Sequence, residues 1–217
     1  MAKILEIDPI TPQPERVARA AELIRQGCVV GLPTDTVYGL AADPFNVAAV
    51  ERIFAAKGRS PEAPVLLLVD STEMAAGLSK NLPAAFHFLT QRFWPGPLTI
   101  VVEASDQLPG IVTANTGRVG MRLPAAEIPR ALIRALGGPI TGTSANVSGH
   151  SECRSAAEVD AVLGKMLPLI LDGGSSKNII PSTVINLRDE SWELVREGAI
   201  QRTELESVFG GLKAAGR

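Results

Sequence analysis

The stretch CVVGLPTDTVYGL, Cys28 to Leu40, decides how the chain is read. Its first part, Cys28-Val29-Val30-Gly31-Leu32, is a continuous apolar run bounded by Gly27 and Pro33. Such a run is too short for a helix and reads as a buried strand, with Cys28 as a small buried thiol. Upstream, Val17, Ala20, Ala21 and Ile24 recur at helical spacing behind Thr11-Pro12-Gln13-Pro14, so a helix precedes the strand and stops at Gly27. Downstream, Pro33-Thr34-Asp35-Thr36 places hydroxyls and a carboxylate on the strand exit, where α/β sheets bind ligands. The same residues also suit a capped turn.

The alternation of strand and helix continues outward. Asn46 caps a helix carrying Val47, Val50, Ile53 and Phe54, which Gly58 closes. Val65 to Val69 reads as a buried strand, and helices follow at Ser71–Leu78 and Pro83–Phe93. Pro97–Val102 and Val119–Leu123 are strands on either side of a polar loop from Gln107 to Gly117. Ile128–Leu136 is helical, Pro139–Thr143 extended, Ser155–Leu163 helical and Leu167–Leu171 a strand. Thr183–Leu187 pairs with Trp192–Arg196 across an Asp189-Glu190 turn, Ile4–Ile7 opens the chain as a strand, and Thr203 caps a last short helix. Short connections between alternating elements favour an α/β sheet fold. No repeat or composition shift divides the 217 residues, so a single domain over 1–217 is expected, with a frayed tail at 210–217.

Composition narrows the functions. At 46% hydrophobic and 20% charged residues the chain buries a substantial core. A formal net charge of −2 disfavours broad non-specific nucleic-acid binding but leaves room for a local basic groove. Six Phe, two Trp and one Tyr are too few for a base-stacking platform. The two cysteines form no CxxC and suggest no zinc site. No stretch approaches the ~18 apolar residues of a membrane span, and the N-terminus lacks an apolar signal region; a cytoplasmic protein with no membrane partner is expected.

Two polar clusters carry the chemistry. Lys57-Gly58-Arg59 follows a helix and supplies two cations; Thr143-Ser144-Ala145-Asn146-Val147-Ser148-Gly149 follows a strand and supplies hydroxyl, amide and backbone N–H donors. Together they can hold phosphates, although GxxxxGK[ST], GxGxxG and HExxH are all absent. Lys57 and Arg59 could instead merely complement the helix C-terminus. Ser144 superficially sits in a nucleophile elbow, but Asn146 replaces its second glycine. His87 lies in an apolar helix and His150 six residues past Ser144, so phosphate hydrogen bonding suits Ser144 better than covalent catalysis. Phe93-Trp94-Pro95-Gly96 reads as a plug under the site. Arg122, inside a strand, needs either a bound anion or an internal ion pair.

Taken in order, PTDTVYGLAAD (33–43), IFAAKGR (53–59), FWPGPLT (93–99), VGMRLP (119–124), TSANVSG (143–149), LDGG (171–174), PSTVINL (181–187) and VREGAI (195–200) resemble the YrdC family over residues 28–200. The resemblance implies a strongly twisted, open mixed sheet flanked by helices, with a concave polar cleft. It also implies a nucleotidyl transfer in which L-threonine, bicarbonate and ATP give L-threonylcarbamoyl-AMP and pyrophosphate, for threonylcarbamoyl-adenosine modification of tRNA. Carried over, Lys57, Arg59, Ser144 and Asn146 would form the reacting centre. Thr34, Arg59 and Ser182 would hold threonine, and Lys57, Thr143, Ser144, Asn146, Ser148 and Arg196 would hold ATP. Mg²⁺ would accompany ATP, with no metal ligands from the protein. A hand-over to the tRNA threonylcarbamoyl transferase complex and weak tRNA binding are further implied partners.

The chain departs from the family pattern at Ser60, Arg118, Ala125-Ala126-Glu127-Ile128 and Glu197. These leave open a divergent YrdC-like paralogue acting as an RNA-binding module. A carbamoyl-adenylate-forming domain of hydrogenase maturation would need Cys-rich zinc motifs that this sequence lacks. A single-domain form, without the extra C-terminal domain of longer members, is expected.

Overall fold

The computed structural model of the protein describes residues 1–60, 62–176, 180–189 and 191–215, with side chains as far as residue 210. In place of one expected sheet, its strands form two mixed sheets. The first has five strands: β1 (Lys3–Glu6), β9 (Leu169–Asp172), β2 (Val30–Leu32), β3 (Gly39–Ala41) and β8 (Thr143–Ser144), in that order. The second has six, ordered β11 (Trp192–Arg196), β10 (Thr183–Leu187), β5 (Leu98–Glu103), β6 (Arg118–Arg122), β4 (Leu67–Leu68) and β7 (Ile140–Thr141).

Helices cover the first sheet on both faces. Val17, Ala20, Ala21 and Ile24 of α1 (Pro14–Arg25) meet Ile128, Leu132 and Ile133 of α6 (Glu127–Leu136) over Val30, Leu32, Leu169 and Leu171. On the opposite face, Ala49 and Ile53 of α2 (Val47–Lys57) and Val159 and Leu163 of α7 (Ala156–Leu163) pack over Leu40 and Ile170. Parallel strands need such two-sided cover, which is why Cys28–Leu32 is an unbroken apolar run.

The second sheet is covered on one face only. Leu98, Ile100, Val102, Val119, Met121, Ile185 and Leu187 point into a core closed by α3 (Thr72–Gly77), α4 (Ala84–Phe93) and α8 (Arg202–Ala215) through Ala75, Phe86, Leu89 and Leu205. Side chains alternate across a pleat, so Thr99, Val101, Arg118, Gly120, Arg122, Val184 and Asn186 all face the other way. That uncovered face is the floor of the cleft.

The sheets meet in one strand segment. Ile140–Thr141 pairs with β4, whereas Thr143–Ser144 pairs with β3. Thr141 fastens the joint: its N–H donates to Ala42 O (3.0 Å), its hydroxyl donates to Leu40 O (3.0 Å), and the same hydroxyl accepts from Ala42 N (2.9 Å). Gly142 stands at the crossing, where a Cβ would lie 2.5 Å from Leu68 Cγ. No larger residue fits there without moving the β4 side chain.

Several expectations shift in the structure. Val65–Val69 forms a ladder only at Leu67–Leu68, because Val65 N–H and Val69 N–H bond outside it, to Val112 O and Arg122 O. Gly39–Ala41, just past the polar lip, is a strand. The 107–117 loop contains a short helix, α5 (Gly110–Thr113). The last helix begins at Arg202, and the carboxylate of Glu204 accepts from Gln201 N–H, so Thr203 lies inside it and does not cap it. Its backbone is helical to Ala215; 216–217 lie outside the described residues. Cys28 is half-buried and Cys153 is the buried thiol. The β10–β11 hairpin forms with Leu187 opposite Trp192; Glu190 of its turn lies outside the described residues. Trp94 is a plug as expected: its indole N–H donates to Leu98 O (2.7 Å) and its ring meets Phe86 edge-on.

Candidate active site

The cleft holds a cavity of about 490 Å³ between the open face of the second sheet and the loops that leave the first. Four guanidinium groups line it: Arg59, Arg118, Arg122 and Arg196. Arg59 follows α2, Arg118 and Arg122 stand at the two ends of β6, and Arg196 ends β11; each is held from behind.

Asn46 caps α2 by accepting from Ala49 N–H (3.1 Å), and Gly58 ends the helix at φ +56°. That left-handed turn separates the two cations of the KxR pair. Lys57 turns inward and is 3% exposed. Its Nζ donates to the backbone oxygens of Ser144 and Asn146 and to Asn146 Oδ1, the last two at 2.9 Å. Arg59 turns into the cavity, with NH1 3.5 Å from Thr143 Oγ1 and NH2 donating to Pro64 O (3.1 Å). Burial and the Arg59 charge pull the Lys57 ammonium from 10.5 down to about 8. Three oxygen acceptors oppose this, since only the protonated amine has three N–H donors. Lys57 is therefore a cation at neutral pH.

The Ser144-Ala145-Asn146 loop is locked by its own contacts. Ser144 Oγ donates to Asn146 Oδ1 (2.6 Å), and Asn146 Nδ2 donates to His150 O (2.6 Å). Ser148 N–H donates to Lys57 O (2.9 Å), but the Ser148 side chain is exposed and absent from the cavity lining.

The floor differs. Arg122 is 3% exposed, with NH2 3.5 Å from Asp35 Oδ1 and NH1 donating to Thr36 Oγ1 at 3.3 Å. It thus takes the internal ion pair of the two sequence readings while still lining the cavity. Burial lowers its pKa, which the Asp35 charge counters and that of Arg196 reinforces. Arg196 donates through Nε and NH2 to Ser182 O (3.2 and 2.8 Å), and Ser182 Oγ meets Thr99 Oγ1 at 2.9 Å. Arg118 donates through NH2 to Val101 O (3.2 Å) and Leu187 O (2.6 Å). Yet Arg118 Nε, Arg122 Nε, Asn186 Oδ1 and Asp35 Oδ1 are buried without a hydrogen-bond partner among the described residues.

Of the residues singled out in the sequence, Arg59, Thr143, Ser144, Ser182 and Arg196 line the one cavity, and Lys57 and Asn146 brace its wall from behind. Thr34 and Ser148 do not line it. The Thr34 hydroxyl donates to Val37 O (2.8 Å) and meets Thr36 Oγ1 (3.0 Å), so Thr36 is the threonine of this lip that faces the cavity. Thr36, Thr99, Arg118, Glu152 and Asn186 were not named as site residues from sequence. For Arg118 and Asn186 the signal was available: Arg118 shares the period-2 face of its strand with Arg122, and Asn186 shares that of its strand with Ser182.

The family model of Sua5, YciO and YrdC proteins, described as "Telomere recombination", matches residues 22–198. The chain belongs to the Sua5/YciO/YrdC family. Among members of that family, it is 38% identical over 198 residues to the threonylcarbamoyl-AMP synthase of Pyrococcus abyssi, covering 91% of this chain and 58% of that one. It is 36% identical over 204 residues to the threonylcarbamoyl-AMP synthase of Bacillus subtilis, covering 94% and 59%. The crystal structure of P. abyssi Sua5 complexed with L-threonine superposes with a TM-score of 0.92 at 37% identity, over 96% of this chain and 61% of that one. The chain thus spans little more than half the length of these two curated relatives. The Sua5-like fold with helix-flanked mixed sheets agrees with the sequence expectation. Among the described residues, no helix is long and apolar enough to cross a membrane.

Proposed function

We propose that the chain is a threonylcarbamoyl-AMP synthase, a nucleotidyltransferase that joins L-threonine, bicarbonate and the adenylate of ATP and releases pyrophosphate. The observation that carries this reading is the convergence of Arg59, Thr143, Ser144 and Arg196 on one arginine-lined cavity. The likeness to a threonine-bound Sua5 supports it.

The chemistry needs two anions to meet. The threonine amine becomes a carbamate, whose oxygen attacks the α-phosphorus while pyrophosphate departs on the opposite side. Fixed guanidinium groups offset the repulsion, and a rigid wall holds the partners in line, so no covalent enzyme intermediate is required. Arg59, Thr143 and Ser144 would face the phosphates from the wall, and Arg196 from the floor. Arg122, with the hydroxyls of Thr36, Thr99 and Ser182, would take the threonine carboxylate and side-chain hydroxyl. Lys57 and Asn146 act from behind, by fixing the Ser144 loop.

Mg²⁺ is proposed to enter with the triphosphate. Among the described residues no three of His, Cys, Asp and Glu stand together in a way that could hold a metal ion, and the charged groups of the lining are the four arginines and Glu152. A protein-held divalent ion does not fit, and no step here depends on one. Delivery of the product to a tRNA threonylcarbamoyl transferase, a weak encounter with tRNA and a cytoplasmic setting belong to the same proposal.

The test is pyrophosphate release from ATP. It should require both threonine and bicarbonate; equal release without threonine would end this reading.

A further inference from the structure

One carboxylate stands apart in the cavity. Glu152 lines it together with four arginines, yet it forms no ion pair or hydrogen bond with any of them among the described residues. It lies beside the wall, close enough that its charge acts on Lys57. Glu152 and Val37 also border a second hollow of about 370 Å³, completed by Ser151, Arg154 and Glu158. The carboxylate therefore stands at a partition, with the reaction cavity on one side and an outer hollow on the other.

An unpaired carboxylate among cations raises the cost of binding a polyanion. It is useful where the ligand also brings a positive charge. An amino acid is such a ligand, since its carboxylate suits a guanidinium and its ammonium suits a carboxylate. We propose that Glu152 binds the α-ammonium of the amino-acid substrate and accepts its proton. This deepens the synthase reading and rests on it.

The step balances simply. An N–H bond of the ammonium breaks, the proton forms an O–H bond on Glu152, and the freed lone pair becomes available to the carbon of bicarbonate or carbon dioxide. The proton then leaves Glu152 to water in the outer hollow. No other carboxylate among the described lining residues can receive it.

The test compares L-threonine with the analogue in which a hydroxyl replaces the α-amine, by titration calorimetry on the wild type and on Glu152→Gln. The wild type should prefer threonine by about tenfold or more, as expected for a charge-assisted contact. Glu152→Gln should lose most of that preference and should bind ATP no more weakly, since removing a negative charge cannot repel a polyanion. A merely structural role would weaken both ligands. Glu152→Asp should restore part of the preference. Retention of the full preference in Glu152→Gln, or its absence in the wild type, overturns the proposal. Pyrophosphate release is read separately: threonine preference without release would sink the synthase reading and leave the Glu152 assignment standing. In turnover, the deficit of Glu152→Gln relative to the wild type at the same pH should narrow as pH rises, because solvent then supplies the free amine.

Discussion

The wall and the floor of the cleft treat their polar groups in opposite ways. On the wall, Lys57 has three acceptors, Asn146 is bonded at both ends of its amide and Ser144 Oγ is bonded to Asn146. On the floor, Arg118 Nε, Arg122 Nε and Asn186 Oδ1 are buried without partners among the described residues. Saturated groups rigidify, whereas unsatisfied buried ones cost about 1–3 kcal/mol each until something binds them. The difference teaches that the wall is built to keep its shape alone, and the floor is built to be completed by a ligand.

The hardest way to break the contrast is Lys57→Met. It removes the charged donor that ties Ser144 O, Asn146 O and Asn146 Oδ1 together, so stability should fall by ~2–4 kcal/mol and pyrophosphate release should vanish. Urea denaturation and the release assay read the two losses; a stable, active variant would mean the wall does not depend on Lys57.

Next in size, Arg59→Ala should separate activity from stability. Arg59 spends its contacts on the long Thr143 approach and on Pro64 O. Release should drop on the order of a hundredfold while stability changes by less than ~1 kcal/mol. A loss of stability equal to that of Lys57→Met would erase the distinction between the pair.

The third test uses pH. The folded protein gives up the Lys57 proton near pH 8, and the unfolded chain keeps it to about 10.5. Between those values the unfolded state binds more protons, so this group's contribution to stability rises with pH. Activity should move the opposite way, because a neutral amine cannot donate to all three wall oxygens. An alkaline fall in kcat/KM near pH 8, shifted upward in Lys57→Arg, is the expected profile; a flat profile to pH 10 would count against it.

The smallest effect belongs to Ser148→Ala. Its side chain is exposed and away from the cavity lining, so turnover should change by no more than about twofold. A large loss would bring the 148 region back into the nucleotide site.

What could be read in advance follows the same division. The α2 caps at Asn46 and Gly58, the buried run before Pro33 and the KxR and TSAN clusters rest on local chemistry, and all are visible in one dimension. The meeting of Lys57 with Ser144, 87 residues apart, follows from the matching chemistry of the two clusters and from the family resemblance, not from spacing. The sheet split was hidden, because nothing local marks Gly142 as the point where one strand segment changes partners. The strand Gly39–Ala41 was hidden too, since its three residues follow a turn-like polar run. Glu152 was passed over because its neighbours, His150-Ser151 and Cys153-Arg154, give no local pattern to read.

The Thr141 joint has a mechanical consequence. Both sheets share the segment on either side of Gly142, so neither can slip or fray without dragging Thr143 and Ser144 with it. The jaws of the cleft are in effect cut from one piece of cloth, and a seam sewn at Thr141 sets how wide they open. Backbone amides at Thr141 and Gly142 should accordingly be among the last in the molecule to trade hydrogen for deuterium.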